Sequence, residues 1–219
     1  MKVQDLGVMD YQVAWDIQKA VAEDVANGGE EALLLVEHPP VLTLGASFHE
    51  SNLLLPLEDY ARKGVQVIKT DRGGDVTYHG PGQLVAYPIF DIKHYGQDLH
   101  YWLRTLEDVV IKAIGQINVE GERLEPHTGV WVRSSGIMLK VAAIGIKVKK
   151  WVNLHGIALN CDLNLDPFRD IVPCGIQAYG VTSLTEVLGR NVCVEEAKVL
   201  LTLEFEELSN NALRMSERV

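Results

Sequence analysis

The chain has 219 residues, a formal charge of −10 at pH 7, and a composition in which 47% of residues are hydrophobic and 23% charged. That acidity argues against nonspecific binding to nucleic acid or to an anionic membrane, and the apolar content suffices for a sizeable core, which excludes a disordered chain. Nothing in the composition marks a linker, so one domain covering 1–219 is expected. Three cysteines without a C-x-x-C pair fit neither a disulfide framework nor a structural zinc site and point to a reducing compartment. Residues 1–10 hold no apolar run of the signal type, and no stretch approaches the roughly 20 apolar residues that span a bilayer, so a cytoplasmic location is expected.

Asp10 can cap a helix in which Val13, Ile17, Val21 and Val25 recur at helical spacing until Asn27-Gly28-Gly29 ends it. Two short apolar runs, 33–36 and 41–44, flank Pro39-Pro40 and read as strands joined by a tight connection. Further strands are expected at 65–68 and at 84–90, the second entered from a glycine-rich loop. Leu99, Trp102, Leu103, Leu106, Val110 and Ile114 predict a long helix over about 98–117. Strands follow at 130–133, 139–148 and 154–159, and an acidic amphipathic helix at 194–208. The order predicts an α/β fold of the α+β type, a mixed sheet with antiparallel neighbours and long helices covering one face.

The most unusual segment is Arg72-Gly73-Gly74-Asp75-Val76-Thr77-Tyr78-His79-Gly80-Pro81-Gly82-Gln83. Paired glycines let a backbone approach a ligand closely, and Arg72 and His79 add a cation and a donor that a turn does not need. In Lys140-Val141-Ala142-Ala143-Ile144-Gly145-Ile146-Lys147-Val148-Lys149-Lys150, the second half alternates with period two, so that Ile144, Ile146 and Val148 face the core. Lys147, Lys149 and Lys150 read equally well as a solvated strand edge or as a docking patch. Lys140 differs, because it lies among Ile137, Met138, Leu139, Val141 and Ala142.

Leu154-His155-Gly156-Ile157-Ala158-Leu159-Asn160 offers a small, apolar wall for an alkyl chain, though alone it would be a strand with a satisfied histidine. In Pro173-Cys174-Gly175 the cysteine sits on a constrained turn, where a thiolate can be presented. Cys161 and Cys193 are assigned to structure. No Asp or Glu occurs from 126 to 161, whereas Arg133, Lys140, Lys147, Lys149 and Lys150 all do.

Taken together and in this order, these four motifs resemble the lipoyl(octanoyl) transferases of lipoate biosynthesis. The resemblance implies a Cys174–Lys140 dyad: Cys174 takes an octanoyl group from acyl carrier protein as a thioester, while Lys140 lowers the thiol's pKa. It also implies that Arg72 to His79, Ala143 to Gly145 (with Ile144) and Gly156 to Ala158 (with Ile157) line the acyl site. The acceptors would be lysines on lipoyl domains of 2-oxoacid dehydrogenase complexes and on the glycine cleavage H protein. The family fold is similar to biotin-protein and lipoate-protein ligase catalytic domains. No ATP, metal or other cofactor is expected, because a thioester is already activated. Three alternatives remain open: an ATP-dependent lipoate or biotin ligase, a non-catalytic acyl-binding protein, and a cysteine hydrolase using His79 or His155.

Overall fold

Strands β2 (Ala32–Glu37) and β6 (Gln83–Ile89) are apolar along nearly their whole length because both of their faces are covered. A computed structural model describes residues 1–173 and 179–216. These two strands lie inside an eight-stranded sheet whose remaining members are β1 (Lys2–Val8), β7 (Gly121–Leu124), β8 (His127–Ser134), β9 (Ile137–Lys149), β10 (Val152–Asn160) and β11 (Gly180–Val181). The order is β1-β2-β6-β10-β9-β8-β7, with β11 pairing β9. The β1–β2 and β9–β11 pairs are parallel and the others antiparallel, so the expected mixed sheet is present.

Helices cover both faces rather than the single face expected. Leu33, Leu35, Leu84, Ala86, Ile157 and Leu159 point one way, into a core closed by α3 (Leu99–Gly115) and α5 (Val194–Ser216). The alternate residues Leu34, Val36, Val85, Tyr87 and Ala158 point the other way, against α1 (Tyr11–Ala26). The Asp10 cap is as expected, its side chain accepting from the Gln12 amide, and Asp98 caps α3 in the same manner through the Tyr101 amide. Two shorter helices, α2 (Leu57–Arg62) and α4 (Leu184–Leu188), had too few periodic positions to read from sequence.

The strands on either side of Pro39-Pro40 do not pair with each other. β3 (Val41–Leu44) leaves the large sheet and pairs with β4 (Gln66–Lys69) and β5 (Val76–His79) in a second, three-stranded sheet. Adjacent prolines offer no N–H to a ladder, so the chain changes sheet there instead of folding back. β5 itself lies within what the sequence presents as a loop, because its glycine flanks mask four strand residues. β1, β7 and β11 were likewise not anticipated.

The α3/α5 core is organised by aromatic contact: the ring of Phe205 meets that of Phe90 edge-on at 5.7 Å, and Phe90 lies 5.9 Å from Trp102. All three are fully buried. Phe205→Ala should therefore cost about 3–5 kcal/mol, read as a lowered urea midpoint; a loss below about 1 kcal/mol would show that α5 is not held through this contact.

Candidate active site

Arg72 is a brace for the glycine loop. Its Nε and Nη2 donate to Thr43 Oγ1 at 3.0 and 2.8 Å, and Nη2 also reaches the carbonyls of Thr43 (2.6 Å) and Asp75 (2.7 Å). Nη1 meets the Gly73 carbonyl at 3.0 Å. The guanidinium thus ties the end of β3 to residues 72–75, while the Gly45 and Ser47 amides bond the Asp75 and Gly74 carbonyls. The loop is carried onto the large sheet by Gly73, whose N–H donates to the Ile146 carbonyl at 2.8 Å. A side chain at Gly145 would meet the Gly73 carbonyl at 2.9 Å, so this crossing needs glycine.

Between this loop, β9, β10 and α1 lies a cleft with about 450 Å³ of atom-free space, part of it open to solvent. From the sequence-predicted set it gathers Arg72, Gly73, Gly74, Thr77, His79, Ala143, Ile144, Gly145, Gly156, Ile157 and Ala158. The other three point elsewhere. Val76 and Tyr78 alternate away from Thr77 and His79 and pack into the core of the small sheet, with Tyr78 edge-on to Phe168 at 5.7 Å. The Asp75 carboxylate accepts from the Asn52 amide group at 2.6 Å and from its neighbour's backbone N–H at 2.7 Å, which pins the loop from behind.

The cleft also contains Tyr11, Val85, Tyr87 and His155, which the motifs did not assign to it. With His38 and His79, Tyr11, Tyr87 and His155 form a buried polar floor. His38 Nδ1 is 2.7 Å from the Met9 carbonyl, and its Nε2 is 2.8 Å from the Tyr87 hydroxyl. His79 Nδ1 is 2.7 Å from Gln83 Oε1 and Nε2 is 3.3 Å from Thr43 Oγ1. His155 Nε2 meets Asp71 at 2.8 Å and Nδ1 meets the Tyr11 hydroxyl at 3.3 Å. Each imidazole faces one acceptor and one hydroxyl donor, the pattern of a neutral ring. Burial pushes His79 down to about 3 and His38 to about 4, and it also lowers His155 despite the opposing pull of Asp71. Burial raises Tyr11 to about 12.

His155 reaches this floor through an interruption in the sheet. Pro88, which has no N–H, stands opposite it, and β6 and β10 pair regularly only from Ile157 to Asn160. His155 takes φ +57 and gives its N–H to Gln18 Oε1 on α1 at 2.9 Å instead of to a strand. Plain alternation would have aimed it with Ile157 at the α3 side.

A second irregularity aims Lys140. Trp131 pairs with Lys140 but Val130 pairs with Ala142, so β9 bulges at Val141. Val141 and Ala142 both enter the α3/α5 core, and Lys140 turns to the opposite face beside Trp131, its Nζ 4.7 Å from that ring's centre and 3.1 Å from the Thr128 carbonyl. Lys140 is 6% exposed and lines a recess that shares Gly73, Gly74, Ile144 and Gly145 with the cleft. Cys174 lies outside the described residues. On one side of it Val172 N bonds the Asn52 carbonyl; on the other, Val181 pairs with Lys140 and Tyr179 packs edge-on against Trp131 at 5.4 Å.

Cys161 is a core residue as expected, fully buried, its thiol pushed up to about 12 by burial; Cys193 is exposed. Lys147, Lys149 and Lys150 are exposed on the β9–β10 hairpin, with Lys150 paired to Glu23 at 3.0 Å. Among the described residues no helix is long and apolar enough to cross a membrane, and no three His, Cys, Asp or Glu side chains are grouped to hold a metal ion.

A family model described as the lipoyl protein ligase A/B catalytic domain matches residues 10–206. An octanoyltransferase of Syntrophotalea carbinolica is 43% identical over 218 residues, 99% of this chain and 98% of the relative. The chain belongs to this family of octanoyltransferases. It is an acyltransferase, and a Geobacter metallireducens octanoyltransferase is 45% identical over 88% of the chain and 85% of its own length. The family fold extends to solved ligases: lipoate-protein ligase A bound with ATP has a TM-score of 0.74 at 17% identity, covering 94% of this chain and 84% of its own. Biotin protein ligase from Aquifex aeolicus in complex with biotin and ATP has 0.59 at 15%, covering 99% and 72%. In this octanoyltransferase fold the cleft and the Lys140 recess are adjacent chambers with a wall in common.

The neutral histidines set an acid limit. In the unfolded chain they titrate near their ordinary value of about 6.5, whereas His38 and His79 titrate at about 4 and 3 when folded. Between those limits the unfolded state binds more protons, so this stability is complete above about pH 6.5 and is lost as pH falls through the folded values. Urea midpoints should decline between pH 6.5 and 4, and His79→Gln should flatten the decline; an unchanged slope in that variant would remove His79 from the explanation.

Proposed function

We propose that this protein moves an octanoyl (or lipoyl) group from acyl carrier protein, through a thioester on Cys174, to a lysine of lipoyl-accepting domains, as a cytoplasmic step of lipoate biosynthesis with residues 1–219 acting as one catalytic domain. The acceptors are the lipoyl domains of 2-oxoacid dehydrogenase complexes and the glycine cleavage H protein. The observation that carries the reading is Lys140: a buried amine, turned out of the core by a bulge, in a recess sharing a wall with a cleft suited to an alkyl chain.

The Cys174 thiolate attacks the donor thioester carbonyl, and the carrier's thiol leaves. The acceptor's free amine then attacks the Cys174 thioester, forming the amide and returning the thiol with the proton the amine gives up. Lys140 stabilises the thiolate as a neighbouring ammonium does. Two half-reactions through one site imply ping-pong kinetics, and both partners are thioester or amine, so no ATP is consumed. Lys147 and Lys149 supply a basic edge for an acidic carrier surface on a chain of net charge −10. Reversing both should raise the KM for the carrier at low salt while leaving kcat in place; unaltered KM values would discard the docking role.

Incubation with octanoyl-acyl carrier protein and no ATP should add one octanoyl group to the intact mass. Cys174→Ala should abolish the adduct, Lys140→Ala should slow its formation by about a hundredfold or more, and added lipoyl domain should discharge it. Transfer seen only with free octanoate and ATP, and surviving Cys174→Ala, would establish a ligase instead.

A further inference from the structure

Glu107 is a carboxylate with no exposed surface on α3, a helix whose neighbouring buried positions are Leu106, Val110, Ala113 and Ile114. Burying a carboxylate is costly unless it is paired and hydrogen-bonded. Its Oε2 meets Arg104 Nη1 at 2.7 Å and Arg123 Nε at 2.9 Å. Those pairs would be satisfied as well by a carboxylate at the helix surface. What requires the inward position is Oε1, which accepts from the Gly129 N–H at 3.0 Å.

The Gly129 N–H and the Thr128 C=O belong to one peptide group, and that carbonyl accepts from Lys140 Nζ at 3.1 Å. A trans peptide is planar with its N–H and C=O pointing in opposite directions, so fixing the N–H on one side fixes the carbonyl on the other. Gly129 has φ +124, a conformation that side chains disfavour, and a Cβ there would lie 2.7 Å from the Ala142 carbonyl and 3.3 Å from Lys140 Cε. The strand therefore runs directly against the lysine, in a local geometry that the β8–β9 ladder alone does not define because the ladder is bulged at this point.

We propose that Glu107 is a positioning residue for the acyl transfer: through the Thr128–Gly129 peptide its carboxylate sets the carbonyl that holds the Lys140 amino group. The inference rests on the Cys174–Lys140 reading above. Two substitutions separate position from charge. Glu107→Asp keeps the charge facing the arginines but withdraws the acceptor from Gly129 by one methylene; Glu107→Gln keeps the reach and an acceptor oxygen but removes the charge.

The readout is the pH dependence of iodoacetamide alkylation of Cys174, followed on its own peptide because Cys193 is also exposed, together with steady-state transfer. His127 lines the recess beside Lys140 and meets Tyr179, Arg72 lies against the recess wall at Gly73, and Arg104, Asp108 and Arg123 surround Glu107; all variants retain these groups. Glu107→Asp should move the alkylation midpoint up by about one unit and lower kcat about tenfold, with the donor KM within about twofold, as Lys140→Ala does more strongly. Glu107→Gln should stay near wild type even if its melting temperature falls. A shift in Lys140→Ala with none in Glu107→Asp would overturn the inference, and if Glu107→Gln alone then shifted, Glu107 would be a charge partner only. An equal shift in both Glu107 variants would overturn it too, because the reach to Gly129 that Gln keeps would then not hold the lysine in place. No shift in Lys140→Ala would sink the dyad reading and this inference with it.

Discussion

Strand β9 changes its partner half-way along, and the site is made by that change. Over its first six residues it pairs with β8; beyond Ala142 that edge is taken by the glycine loop, through the bond from Gly73 N–H to the Ile146 carbonyl. The bulge at Val141 falls at the handover. A regular ladder continued to the end of β9 would close the edge on which the loop rests, and would leave Lys140 aimed at the α3/α5 core. Both chambers therefore exist because one backbone edge is shared between a strand and a loop.

The loop can hold that edge because it is itself fixed from three directions: by Arg72 to β3, by Asp75 to Asn52, and by Gly73 to β9. Most of the bonds involved have a backbone group on at least one side, and side-chain bonds to Thr43 and Asn52 complete them, so the segment is held in place without secondary structure of its own. The neutral imidazoles complete this logic on the opposite wall. Uncharged rings with both nitrogens satisfied can be buried beside an apolar ligand at far lower cost than imidazolium.

Much of this was legible in the chain. The long strands and helices followed from periodicity, the sheet order class from their sequence, and the lining of the cleft from three short motifs. The shortfalls have physical origins. Alternation within β5 hid Val76 and Tyr78 behind a motif read as one ligand loop. His155 and Lys140 both lie on the face opposite to the one that period two assigns, one by a positive φ opposite a proline and the other by a bulge. Tyr11, His38 and Tyr87 came from elements with no local signature, joined only by tertiary hydrogen bonds. The fold change at Pro39-Pro40 was visible as a break, but sequence did not show that the chain crosses to another sheet there.

The partition between the chambers is made from Gly73, Gly74, Gly145 and Ile144, which is to say mostly from peptide groups. Such a wall has almost no rotamers. It cannot swing open as a gate or be retuned by exchanging one side chain for another, and any Cβ added at Gly145 must displace the loop itself. Side-chain variety at the cleft is consequently confined to its far floor, where Tyr11, Val85 and Tyr87 stand, while the partition between the two chambers keeps a fixed shape.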